Sequence, residues 1–218
     1  MTEATLLISS RNYSSWSLRG WLLTRMSGLP FKVECVSPDD PAARAELLLR
    51  SSSILVPCLM HEGLSIWDTM AIGEYLAESC PDAGLLPKDR GQRARCRSIC
   101  GEMHAGFGAL RSSLPMNLRS RRTGFRIWAA AQADIDRISW IWNDCLKASG
   151  GPWLFGQQRT MADALYAPVA TRYVTYDVKL DDVCAVYRDR LLAWPDMQEW
   201  TKEAMDEPAE IDELEVEF

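Results

Sequence analysis

The sequence predicts an α+β protein of two domains, a small α/β domain followed by an all-α domain. Over residues 1–80, short apolar runs alternate with stretches of helical period, whereas from about residue 90 onward the apolar spacing is helical throughout. Between them, the segment "PDAGLLPKDRG" after Cys80 is rich in proline, glycine and charge and reads as a linker at 81–89. The expected division is therefore 1–80, a linker at 81–89, and 90–218.

Within the first domain, Thr5-Leu6-Leu7-Ile8 reads as a strand. Trp16, Leu18, Trp21, Leu22 and Leu23 then recur at helical spacing, giving a helix over 15–27 that Gly28 and Pro30 stop. A strand at 31–36, a helix at 41–50, strands at 56–60 and 64–66 and a helix at 68–79 follow, with Gly63 in "HEGL" supplying the turn of a hairpin. This β-α-β-α-β-β-α order is the thioredoxin-like arrangement. In the second domain the pattern breaks at Pro115, at "ASGGPW" (148–153), near Lys179-Leu180 and at Pro195, predicting five helices. Thr160-Met161-Ala162-Asp163 reads as a capping box, which makes Asp163 structural.

The net charge of -6 argues against a general nucleic-acid binder. Arginines 90, 93, 95, 97, 111, 119, 121, 122 and 126 concentrate in the middle, and 203–217 is acidic. A solvated helical face and a frayed tail account for them, with an anionic-partner surface or subunit interface as the alternative. The apolar runs are short and interrupted by charge, and no secretory leader opens the chain, so neither a membrane span nor export is expected and the location is read as cytoplasmic. Seven cysteines without a CxxC pair, and only His61 and His104, argue against a metal site.

Chemistry concentrates in "RNYSSWSLR" (11–19), where serines stand between a strand and the first turn of a helix. Helix N-termini present unpaired N–H groups and a partial positive charge, so a thiolate or carboxylate is stabilised there. Ser14 or Ser15 as a plain N-cap is the simpler role.

"SSWSLR" resembles the serine-type active-site motifs of the cytosolic glutathione transferase superfamily, "SSCS" of the zeta class and "SPFSMR" of the tau class. Val56-Pro57 is similar to that family's cis-proline pair, and "WDTMAI" (67–72) to its "ESxAI" signature, with Asp68-Thr69 replacing Glu-Ser. The resemblance runs along nearly the whole chain. It implies a thioredoxin-like glutathione-binding domain joined to an all-α domain, in a cytoplasmic homodimer that performs a detoxifying transfer without a metal. It implies glutathione as co-substrate, held at Ser14, Val56, Pro57, Asp68 and Thr69. The partners it implies are glutathione and a small electrophile, with no nucleic acid and no membrane.

The implied reaction is attack by the glutathione thiolate on an electrophilic carbon, or a glutathione-assisted isomerisation or reduction. Ser14 is the implied catalytic residue, a donor to sulfur, with Tyr13 as rival. A hydroxyl donor plus the helix dipole would lower the thiol by about one to two units from its usual 8.5. Arg19 is a further source of positive charge near the sulfur. Met103, Phe107, Met116 and Tyr166 are the candidate electrophile wall, with ordinary core packing as the alternative. Two departures stand out. Ile54 and Leu55 occupy positions where the family carries glycine and then a polar side chain, removing a contact worth roughly tenfold to a hundredfold in affinity. Trp16 replaces the zeta-class cysteine, which argues against maleylacetoacetate isomerase. The rival class is a non-catalytic module of the same fold used for protein interaction.

Overall fold

The computed structural model describes residues 3–36, Leu48 and 55–207. Four strands form one mixed sheet in the order β2-β1-β3-β4, with β1 (Ala4–Ile8), β2 (Phe31–Cys35), β3 (Cys58–His61) and β4 (Leu64–Trp67). β1 pairs with β2 in parallel and with β3 antiparallel, so it is flanked on both edges. Its near-continuous apolar run is what a strand covered on both faces requires, and Ala4, Leu6, Leu7 and Ile8 are fully buried. β4 is an edge strand with Leu64 and Trp67 exposed.

Helix α1 (Ser15–Ser27) connects β1 to β2, and α2 (Thr69–Ser79) follows β4. Gly28 ends α1 in the left-handed conformation, φ 72°, which explains the glycine there. The two helices pack on one face of the sheet. This element order is the thioredoxin-like one that the alternating pattern predicts. The expected helix at 41–50 falls on residues outside those described, apart from Leu48.

The second half is helical: α3 (Arg90–Ala105), α4 (Gly108–Ser113), α5 (Ala129–Ser149), α6 (Met161–Thr175), α7 (Asp182–Leu192) and α8 (Pro195–Met205). Among the described residues these are six helices, where five were expected. The sequence reading missed the break at Gly106-Phe107, where Phe107 takes φ 58° and restarts the chain as a short helix. The break expected at Pro115 is wide: 114–128 is irregular and the next helix starts at Ala129. Arginine and glycine in that segment interrupt the apolar period without marking where structure resumes.

α6 is buried almost all round, as befits a helix apolar on every side. It packs against α1, α3 and α7 and so joins the two halves. Close approach accounts for two glycines: at this junction a Cβ on Gly73 of α2 would lie 2.3 Å from Met161 Sδ, and within the first half one on Gly20 of α1 would lie 2.6 Å from the Pro57 ring.

Asp163 anchors the start of α6. Its carboxylate accepts from the N–H and hydroxyl of Thr160, from Leu154 N and, at 2.7 Å, from the Tyr187 hydroxyl. Burial pushes its carboxyl up from the usual range while those donors pull it back. Asp163→Ala leaves several buried donors unsatisfied and is expected to destabilise the fold by about 3 kcal/mol, read as a lower urea midpoint.

Candidate active site at the start of the first helix

The β1-to-α1 loop, residues 9–14, carries the serines to the junction of the two halves. Ser14 is the N-cap of α1: its Oγ accepts the Ser17 N–H at 3.2 Å and donates to Ser17 Oγ at 2.9 Å. Ser14 is half-buried, so its hydroxyl remains open to a ligand while standing beside the unpaired N–H groups of the first turn. The modest capping role expected of Ser15 is corrected. Ser15 lies inside the helix, buried, and its Oγ accepts from Arg172 Nη2 at 3.1 Å. An arginine 157 residues away leaves no local signal for that contact.

The loop itself is clamped from the far end of the chain. Ser10 Oγ and the backbone N–H groups of Arg11 and Asn12 all donate to the Glu207 carboxylate, and Arg11 pairs with Glu203 at 2.7 Å. Glu203 and Glu207 were expected in a frayed acidic tail, and here they are anchors. Asn12 is fully buried; its Oδ1 accepts from Leu118 N and Arg119 N, and its amide donates to Asn117.

Three arginines gather behind the serines. Arg19 has no exposed surface; it donates to the Leu165 carbonyl at 2.7 Å, the Ser15 carbonyl and Met103 Sδ, and its guanidinium lies 4.6 Å from the Trp16 ring. Arg172 donates to the carbonyls of Leu114 and Pro168 as well as to Ser15. Arg111 reaches the Met103 carbonyl and stands 5.6 Å from the Trp16 ring. Among the described residues no carboxylate pairs with any of the three. Burial and mutual repulsion lower Arg19 well below its usual range, and the same causes, burial first, bring Arg172 down to about 10. The expectation of extra positive charge from Arg19 thus gains two further contributors. Of these, Arg172 lies outside the central run of arginines read from the sequence.

On the sheet side, Val56-Pro57 is a cis peptide bond just before β3, with Pro57 under Gly20 of α1. Asp68 caps α2: its Oδ1 accepts from Met70 N and Ala71 N, and its backbone sits at φ 76°, ψ 130°, which a non-glycine residue rarely adopts. Thr69 is buried, and among the described residues its hydroxyl has no hydrogen-bond partner, which is uncommon for a buried hydroxyl. His104, on α3, places Nε2 2.9 Å from Asp68 Oδ2 and its ring 5.2 Å from that of Trp16.

The structure thus links Trp16 in the first turn of α1, His104 of α3 and Asp68 at the start of α2 in one chain of contacts. Tyr13 is buried. Met103 and Tyr166 lie in the core, the latter fully buried with its hydroxyl on the Ile99 carbonyl, and Phe107 and Met116 are nearly as deep. These four side chains face packing neighbours rather than open space, as apolar residues at helical spacing commonly do. Leu55 is largely exposed, and Ile54 lies outside the described residues. Sequence reasoning missed His104, Arg111 and Arg172 as site residues; the mid-chain arginine run pointed to Arg111 only as one of many. Most of that run is surface: Arg97 forms a bidentate pair with Glu74, and Arg95 pairs with Asp144.

Residues 13–79 match the glutathione S-transferase N-terminal domain family. The chain is 27% identical over 160 residues to a probable maleylacetoacetate isomerase of Caenorhabditis elegans, covering 73% of each. It is 29% identical over 127 residues to maleylacetoacetate isomerase of Rattus norvegicus, a match spanning 56% of that relative. Among solved structures it superposes on a Burkholderia glutathione transferase homolog with bound glutathione at TM-score 0.70, 23% identity, covering 94% of this chain and 99% of that one. A tau-class glutathione S-transferase from mango, Mangifera indica, gives TM-score 0.69 at 18% identity, covering 93% and 96%. At these identities the structural matches establish the fold.

The Asn12 clasp is open to direct test. Asn12→Ala leaves the buried Leu118 N–H without that acceptor and the Arg119 N–H with Asn117 alone, and a loss of about 2 kcal/mol is expected by denaturant titration.

Proposed function

We propose that the chain is a cytosolic glutathione transferase and that it activates the glutathione thiol with Ser14 for attack on a carboxylate-bearing electrophile. The observation that supports this most is the common register of three helix-end and loop sites. Ser14 caps α1, Val56 precedes the cis proline, and Asp68-Thr69 opens α2 with an unsatisfied buried hydroxyl. Each suits one part of a γ-glutamyl tripeptide: hydroxyl and helix N-terminus for the sulfur, the Val56 backbone for the cysteinyl amide, and Asp68-Thr69 for the α-amino acid end.

The thiolate step needs one proton removed from sulfur and the resulting anion stabilised. The Ser14 hydroxyl, which now donates to Ser17 Oγ, turns to donate to sulfur, and Ser17 N–H continues to bond Ser14 Oγ. Arg19, Arg111 and Arg172 add positive potential behind it without neutralisation by a carboxylate. The thiol proton passes to solvent, and as the sulfur–carbon bond forms either a leaving group departs with its electron pair, as chloride does from a chloronitrobenzene, or a π bond at the attacked carbon opens and the resulting carbanion takes a proton from water.

That positive potential also supports the electrophile class, since an anionic substrate would find cations already collected at the cleft. The relatives named as maleylacetoacetate isomerases support the same class, although Trp16 stands where their class carries cysteine. Met103, Phe107 and Tyr166 then support the cleft from behind. The exposed edge strand β4, with Leu64 and Trp67, supports a homodimer, and seven free cysteines suit a reducing cytoplasm. The domains act as 1–80 and 90–218 joined at 81–89.

The test is retention on immobilised glutathione and turnover of a chloronitrobenzene, for wild type and Ser14→Ala. Turnover by the variant is expected to fall about 10- to 100-fold near pH 6.5 and to recover toward wild type above about pH 9, where the thiol ionises unaided. Unchanged turnover at the lower pH would exclude Ser14 as the donor, and a wild type that neither binds nor turns over would favour the interaction-module reading.

A further inference from the structure

We propose that His104 is a positioning residue that fixes the Asp68 carboxylate for the γ-glutamyl end of glutathione. This rests on the glutathione reading above. Asp68 uses both oxygens in the structure: Oδ1 receives two N–H groups of α2, and Oδ2 lies 2.9 Å from His104 Nε2. The carboxylate is thereby held in one orientation across the boundary between the sheet domain and α3.

The geometry assigns the tautomer. A carboxylate accepts, so Nε2 carries the proton and Nδ1 is left with a lone pair. Among the described residues Nδ1 is buried without a hydrogen-bond partner, so the imidazole is anchored through Nε2. Trp16 of α1 packs its ring against the imidazole, and the other charges at that indole are the cations Arg19 and Arg111. Glu102, on the same helix as His104, is taken by Arg137 in a bidentate pair. Asp68 is the sole carboxylate that the described contacts give to His104.

Calorimetric titration with S-methylglutathione tests this, because that ligand keeps the γ-glutamyl end and has no thiol to ionise. His104→Ala is expected to bind it several-fold more weakly than wild type, with kcat at saturating glutathione changing far less than affinity. His104→Gln, whose amide can still donate to Asp68, should recover most of the lost affinity. Wild-type affinity in His104→Ala would overturn the assignment, as would a His104→Gln that binds as weakly as His104→Ala, and a wild type that does not bind overturns the glutathione reading with it.

Discussion

The site depends on the first turn of α1 being held from the helical domain. Arg172 donates to Ser15, and Arg19, one turn further on, reaches into the backbone of α6 through the Leu165 carbonyl. Both guanidiniums are buried and neither has a carboxylate partner, so their solvation is replaced by carbonyls, a serine, a thioether and an indole ring. Buried cations without counter-ions are costly and are retained chiefly where they position something or meet a ligand charge. Here they do the first in fixing α1 against α6, and they leave a positive field at the helix end.

The second hold on the same turn comes from the loop. Glu207 collects three donors from residues 10–12, Trp200 donates its indole N–H to the Arg11 carbonyl, and Asn12 is wedged against 117–119. The serine therefore stands on a loop with little freedom although its position in sequence is a linker between strand and helix. Fixing a donor in advance is how an active site avoids reorganisation when charge appears.

Much of this was legible beforehand. The alternating strand and helix periods of the first domain predicted its order, and α1, β1 and β4 fall within a residue or so of their expected bounds. Ser14, Val56-Pro57 and Asp68-Thr69 could be named because each depends on local grammar: a cap, a proline, an acid before an apolar run. Met103 and Tyr166 were less well served, since their spacing signals a buried face and cannot say whether that face meets a core or a cleft. His104, Arg111 and Arg172 had no local grammar at all. Their partners lie in other elements, 36 residues away for His104 and Asp68 and 157 for Arg172 and Ser15.

Sequence alone determined the two-domain α+β plan, a serine cap at Ser14 or Ser15 and the structural character of Asp163, because hydrophobic period and capping act over a few residues. Tertiary structure decided which charges meet at the serines, that Ser15 is an arginine acceptor rather than a cap, and that Asp68 is shared with a histidine of the helical domain. Those depend on how α1, α3 and α6 pack, and packing geometry is a property of the closed core that no local pattern encodes.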